Sequence, residues 1–174
     1  MRIRFLAVFG IVLSALLLSV PVTRAAEIQA QPVAQTQTGV YKMAIDRAVS
    51  LSEAAESMRL RANALNLQLV AELPLSKQVE AVTGKPQRTI TIFQFCDAVT
   101  AKELIDMSMD FAVYMPCRIA LIEDADGQGW LVMTDIDVDM VAKEKQLQEA
   151  LTARIKAVRD ALIEIMQAGA KGEL

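Results

Sequence analysis

The sequence predicts one α+β domain: about five largely antiparallel strands, helices packed on them, and a long C-terminal helix. Three observations carry this. A β-branched and aromatic run over residues 89–95 ends at Cys96, and a second apolar run opens at Met115-Pro116-Cys117. Residues 124–129 are Asp-Ala-Asp-Gly-Gln-Gly, turn formers that join the runs 118–123 and 130 onward into a hairpin. From Ala142, the positions Leu147, Leu151, Ile155, Val158, Leu162 and Ile165 recur in steps of four and three, predicting an amphipathic helix of about six turns that stops near Gly169.

In chain order, Arg2 and Arg4 precede an apolar run over 5–20, and small residues follow in Pro21-Val22-Thr23-Arg24-Ala25-Ala26. This is the three-part pattern of a secretory signal with cleavage after Ala25, and the run is shorter than the roughly 20 apolar residues that span a bilayer. Residues 1–25 are therefore expected to leave a periplasmic or secreted protein without stable membrane insertion. Losing Arg2, Arg4 and Arg24 takes the formal charge from −3 to −6. An acidic chain without basic runs has no electrostatic footprint for nucleic acid.

Residues 26–39, rich in Gln, Ala and Thr, are expected to be a flexible lead-in to a single domain over 40–174. Residues 40–44 make a short strand. Ser50-x-x-Glu53 has capping-box spacing, and Leu51, Ala54, Ala55, Met58, Ala62 and Leu65 give the following helix one apolar stripe, which Asn66 ends. Residues 67–73 read as a strand stopped by Pro74, and 75–82 as one or two helical turns. Residues 97–107 are helical, starting near Asp97 or Thr100, and Pro116 keeps a helix from running into the next strand.

The chain has no histidine, which excludes a Ser-His-Asp triad, a Cys-His nucleophile and a His-Glu-x-x-His zinc site. There is no Cys-x-x-Cys pair, and Gly127-x-Gly129 lies in a turn instead of a phosphate loop. The two cysteines end consecutive strands, so an antiparallel arrangement puts Cys96 and Cys117 at the same end of the sheet. Alternation groups Ile90 and Ile92 with Cys96, and Ile119 and Leu121 with Cys117, which suggests one shared face. The pair can be a structural disulfide, two buried thiols, a redox pair or part of a soft-metal site. A bridge would close a loop worth roughly 3 kcal/mol of chain entropy. Met107, Met109 and Met115 with Cys117 offer the thioether and thiolate ligands that suit Cu(I), although methionines also fill core gaps. Asp135, Asp137 and Asp139 alternate with Ile136, Val138 and Met140 along the fifth strand, as a solvated face or a Ca²⁺ row.

Phe95-Cys96-Asp97-Ala98, followed by Met115-Pro116-Cys117-Arg118-Ile119-Ala120-Leu121-Ile122-Glu123-Asp124, resembles the family called domain of unknown function 302. The resemblance extends through Gly127, Trp130 and residues 135–140 to the closing Gly169-Ala170-Lys171-Gly172-Glu173-Leu174. Members often carry Asn-Pro after the first cysteine, where this chain has Asp97-Ala98. The resemblance implies a compact α+β domain paired as a homodimer, and it brings no established reaction.

These readings point to a secreted, non-enzymatic binding or accessory domain. Its pocket is expected around the cysteines with Phe95, Met115, Pro116, Arg118 and Trp130, open to a small-molecule ligand; the sequence leaves any cofactor open. The alternatives are a thiol-disulfide or sulfur-handling protein using Cys96 and Cys117, and a Cu(I)-handling protein. Self-association is expected through the C-terminal helix, where Ile163 lies off the main stripe.

Overall fold

A computed structural model describes residues 34–37 and 39–173. The signal segment and residues 26–33 of the expected lead-in lie outside the described residues. Strands β1 (Ala34–Gln37), β2 (Val40–Ala44), β3 (Gln68–Leu73), β4 (Ile90–Cys96), β5 (Cys117–Glu123) and β6 (Gly129–Thr134) form one antiparallel sheet in the order β1-β2-β6-β5-β4-β3. Five of these strands are the expected ones. The sixth, β1, falls within the segment read as a flexible lead-in, whose Gln- and Thr-rich sequence carries no hydrophobic period to announce it.

Helix α1 (Leu51–Ala64) starts as its sequence requires: the Ser50 side chain accepts from the Glu53 amide, and the Glu53 carboxylate accepts from the Ser50 amide. Asn66 follows it with φ 56°. Helix α2 (Leu75–Thr83) stops at Gly84, and α3 (Ala98–Met107) leads through a 3₁₀ helix (Met109–Tyr114) to the cis Met115–Pro116 bond.

Three boundaries differ from the sequence reading. The fifth expected strand, β6, ends at Thr134; Asp137 instead accepts from the Met140 amide as N-cap of α4 (Val138–Lys145). The aspartates therefore do not share a strand face: Asp135 accepts from Arg159 at 2.8 Å and Asp139 pairs with Lys156 at 2.6 Å. The long helix is α5 (Glu149–Lys171), separated from α4 by Gln146 at φ 53°, so Ala142 and Leu147 lie before it. Nor does Gly169 stop it. The helix runs on to Lys171 with Gly172 as cap, and at Gly169 α5 lies close against α1, since a Cβ there would lie 2.6 Å from Met58 Cγ.

Helices α1 and α5 cover one sheet face, burying Met58, Phe93, Phe95, Ile119, Leu131 and Ile165 among others. Arg59, pairing with Glu72 at 2.8 Å, sits over the Phe93 ring at the β3 edge of this core. The N-terminal half of α5 departs from the sheet to form a second cluster, in which Leu151 packs with Leu104, Phe111 and partly buried Met115, Leu147 and Ile155. On the sheet's opposite face, Ile92, Ala120, Ile122, Trp130 and Val132 remain partly exposed.

Candidate functional site

Between the two clusters, at the end of the sheet where β4 stops and β5 starts, lies a cleft. Its inner chamber, about 100 Å³, is walled by the strand ends Phe95-Cys96 and Cys117, by Thr100 and Leu104 of α3, by Phe111 and Met115, and by Val138, Ile155 and Val158 from α4 and α5. An adjoining chamber of about 190 Å³, called the outer one for its exposed lining residues Thr134 and Arg118, shares Tyr114, Pro116, Cys117, Ile136, Val138, Ile155 and Val158 with it and is also lined by Arg159. The inner chamber's lining is almost wholly hydrocarbon and sulfur, because α5 diverges from the sheet here and the 3₁₀ segment bridges the gap with Phe111 and Tyr114.

Both cysteines reach the inner chamber, at the same end of the sheet as expected, but they do not share a sheet face. The β4–β5 register pairs Phe95, not Cys96, with Cys117. Side chains of paired residues project to one side, so Cys117 lies with buried Phe93, Phe95 and Ile119, and Cys96 falls with Ile90, Ile92 and Gln94 on the other. The parity within each strand was legible; the register between them was not, since it depends on the connection through α3 and the 3₁₀ helix. Both thiols are free.

Their environment favours the protonated form. Burial pushes Cys96 above the ordinary thiol value, and the neighbouring Asp97 carboxylate adds to the effect. Burial likewise raises Cys117, with Cys96 next in influence. Asp97 is held below the usual carboxylate range, first by the Thr100 amide, which donates to it at 3.1 Å, with the Thr100 hydroxyl at 2.8 Å and the Val99 amide. It is thus an ionised cap of α3 at the inner wall. An activated thiol would need the opposite surroundings, a nearby cation or helix N-terminus aimed at sulfur.

Of the residues expected around the pocket, Phe95, Met115 and Pro116 line the inner chamber and Arg118 the outer rim. Trp130 does not belong to it: its indole lies on the opposite sheet face, donating to Asp124 at 2.7 Å with Lys42 Nζ 3.8 Å from the ring centroid, so it clasps the β5–β6 hairpin. The structure does not assemble the methionines around Cys117. Met115 is at the inner chamber, whereas Met109 is 83% exposed and Met107 borders a separate depression with Arg154. Residues that sequence reasoning missed are Leu104, Phe111, Ile136, Val138 and Ile155, which look like ordinary core positions until α4 and α5 bring them beside α3.

This geometry defines an α+β domain with helices on one face of an antiparallel sheet and an apolar cleft at the sheet end. The family profile described as "Domain of unknown function DUF302" matches residues 41–169, and the chain belongs to that family. Among solved structures it resembles an uncharacterised conserved DUF302 protein from Bacillus stearothermophilus, with a TM-score of 0.60 and 11% identity, covering 76% of this chain and 98% of that one. At that identity the likeness speaks to fold alone. No curated protein sequence matches.

Proposed function

We propose that this protein is a secreted or periplasmic binding or accessory domain without catalytic activity, and that the cleft at the sheet end takes up a small apolar molecule. One observation carries the reading: a chamber lined by Phe95, Leu104, Phe111, Val138 and Ile155, whose two thiols are held neutral by burial. A concave apolar site with few polar groups is the usual form of a ligand pocket. The thiol-redox alternative needs an accessible sulfur of lowered pKa, and both sulfurs are shifted the other way. The secretory part of the proposal rests on the pattern of residues 1–25.

The test is native mass spectrometry of the protein purified without denaturation, followed by solvent extraction, beside a Leu104→Trp variant that fills the inner chamber. An extractable organic molecule present in the wild type and absent from the folded variant supports the reading. A chain that carries no molecule and takes up no added 1-octanol overturns it.

Self-association is better served by the sheet than by α5. Ile163, expected to be exposed, is partly buried against the main core. The partly exposed Ile92, Ile122, Trp130 and Val132 form the apolar surface a symmetric partner would cover. Light scattering on wild type and an Ile122→Glu variant tests this: a dimer lost in the variant supports the sheet face, and a dimer that persists places the contact elsewhere.

A further inference from the structure

Resting on the reading of the cleft as a ligand site, we propose that the 3₁₀ segment Met109–Tyr114 is a strap that lifts to admit the ligand, with Phe111 as its anchor and the Asp110–Lys145 ion pair as its latch. The need for a moving wall comes from size. The inner chamber measures about 100 Å³ and the outer one about 190 Å³, each below the roughly 300–1,000 Å³ of common ligand sites. An organic molecule of several carbons therefore enters the inner chamber only as one of its walls gives way.

The walls are not equally held. β4 and β5 are interior strands, hydrogen-bonded to a neighbour on both sides. Helix α3 starts at the Asp97 cap, and ion pairs lace the helices together: Arg154 of α5 with Glu103 of α3, and Lys156 of α5 with Asp139 of α4 at 2.6 Å. The strap has much less. Among the described residues, no backbone hydrogen bond joins positions 109–114 to another element, and the Phe111 amide donates to the Ser108 carbonyl just outside the segment, at 3.2 Å. Such 3₁₀ turns have poorer hydrogen-bond geometry than an α-helix. Among the described residues, one side-chain hydrogen bond ties the segment to another element, donated by Lys145 Nζ at the end of α4 to Asp110 at 3.0 Å. The remaining hold is Phe111, 4% exposed and packed with Leu104 and Leu151, whereas Met109, Val113 and Tyr114 are all exposed. Ser108 and Met115, both in extended conformation, bound the segment and supply a pivot at each end. Phe111 and Tyr114 wall the inner chamber while Val113 and Tyr114 wall the outer one, so lifting this one segment opens both. Few buried apolar contacts and few bonds to the rest of the fold are what let a segment open locally, ahead of global unfolding.

Opening is read from the labelling of Cys117, which lines both chambers, by N-ethylmaleimide in the folded protein, quantified residue by residue by peptide mass spectrometry. Asp110→Asn and Lys145→Gln should each speed Cys117 labelling about threefold, the effect of one exposed ion pair. Phe111→Leu, which weakens the anchor, should speed it more. Lys77→Gln, which breaks the comparable exposed pair with Glu80 in α2, should leave it unchanged. Saturating 1-octanol should slow labelling of the wild type by filling the chamber. Equal labelling in wild type, Asp110→Asn, Lys145→Gln and Phe111→Leu overturns the strap, and octanol protection in that case leaves the pocket reading standing. Acceleration in Lys77→Gln as large as in Lys145→Gln also refutes the strap, because the thiol would then report a general loosening. Labelling that the latch variants accelerate, with no octanol protection and no octanol uptake by calorimetry, supports the strap's opening and overturns the pocket reading on which its role rests.

Discussion

Gly169 offers a stability test in which two ordinary effects oppose each other. It lies in the last turns of α5, where glycine costs about 1 kcal/mol relative to alanine, so propensity alone predicts that Gly169→Ala stabilises. Packing predicts the reverse. The added Cβ would stand 2.6 Å from Met58 Cγ, 3.1 Å from the Ala54 carbonyl oxygen and 3.1 Å from Leu131 Cδ1. Carbon atoms pack best near 3.5–4.0 Å, about 1 Å farther than the Met58 contact allows. Neither close neighbour yields easily: Ala54 presents backbone, and Met58 is fully buried with its Cγ near the start of its side chain. The methyl must therefore push α5 off α1, an overpacking cost of about 1–3 kcal/mol. Set against the propensity gain, the net loss is about 1 kcal/mol, or roughly 2–4 °C in Tm for a chain of this size. Urea unfolding followed by circular dichroism reads it directly. A raised midpoint for Gly169→Ala would refute the claim that close approach of the two helices sets this position.

Ser57 is fully buried in α1 and its hydroxyl has no hydrogen-bond partner, so Ser57→Ala should raise the urea midpoint by about 1 kcal/mol; a loss of that size would show an unrecognised partner. Asp97→Ala removes the N-cap of α3 and should cost about 1–2 kcal/mol at neutral pH. Because the folded chain lowers the Asp97 pKa, that contribution is present above the unfolded value near 3.9 and fades as pH falls through the folded one. A wild type-to-variant difference that persists unchanged in stronger acid would contradict the assignment. For the thiols the sign is opposite: their folded pKa values are raised, so their contribution is full below the unfolded value of about 8.5 and is lost as pH rises through the folded values. Unfolding free energies between pH 7 and 10 should therefore fall more steeply for wild type than for Cys117→Ala, and parallel curves would disprove burial as the cause.

Much of the fold was legible because local chemistry and the global arrangement agree. The Ser50-Glu53 box, the Asn66 turn and the alternation in β4 each depend on neighbours within a few residues. The misreadings came where one pattern serves two structures. Asp135, Asp137 and Asp139 alternate as in a strand, yet Asp137 is also a good N-cap and capping won. The period of α5 runs back through Leu147, but Gln146 in the left-handed region breaks the chain before it. Glycine at 169 reads as a helix stop from sequence and is instead required by the separation of α1 and α5. The site was half legible: Phe95, Cys96, Met115, Pro116 and Cys117 mark where two strands meet the cleft. Its other wall comes from α3, α4 and α5, whose mutual placement no local signal encodes, and Trp130 was misassigned because its side of the sheet follows from register.

The most direct measurement for the central claim is a methyl-resolved nuclear magnetic resonance titration of the folded protein with 1-octanol. The account predicts saturable shifts concentrated on Leu104, Val138, Ile155 and Val158, with the methyls of Ile92, Ile122 and Val132 on the opposite sheet face unmoved. Shifts confined to the opposite face, or no saturable shift at the cleft, would contradict it.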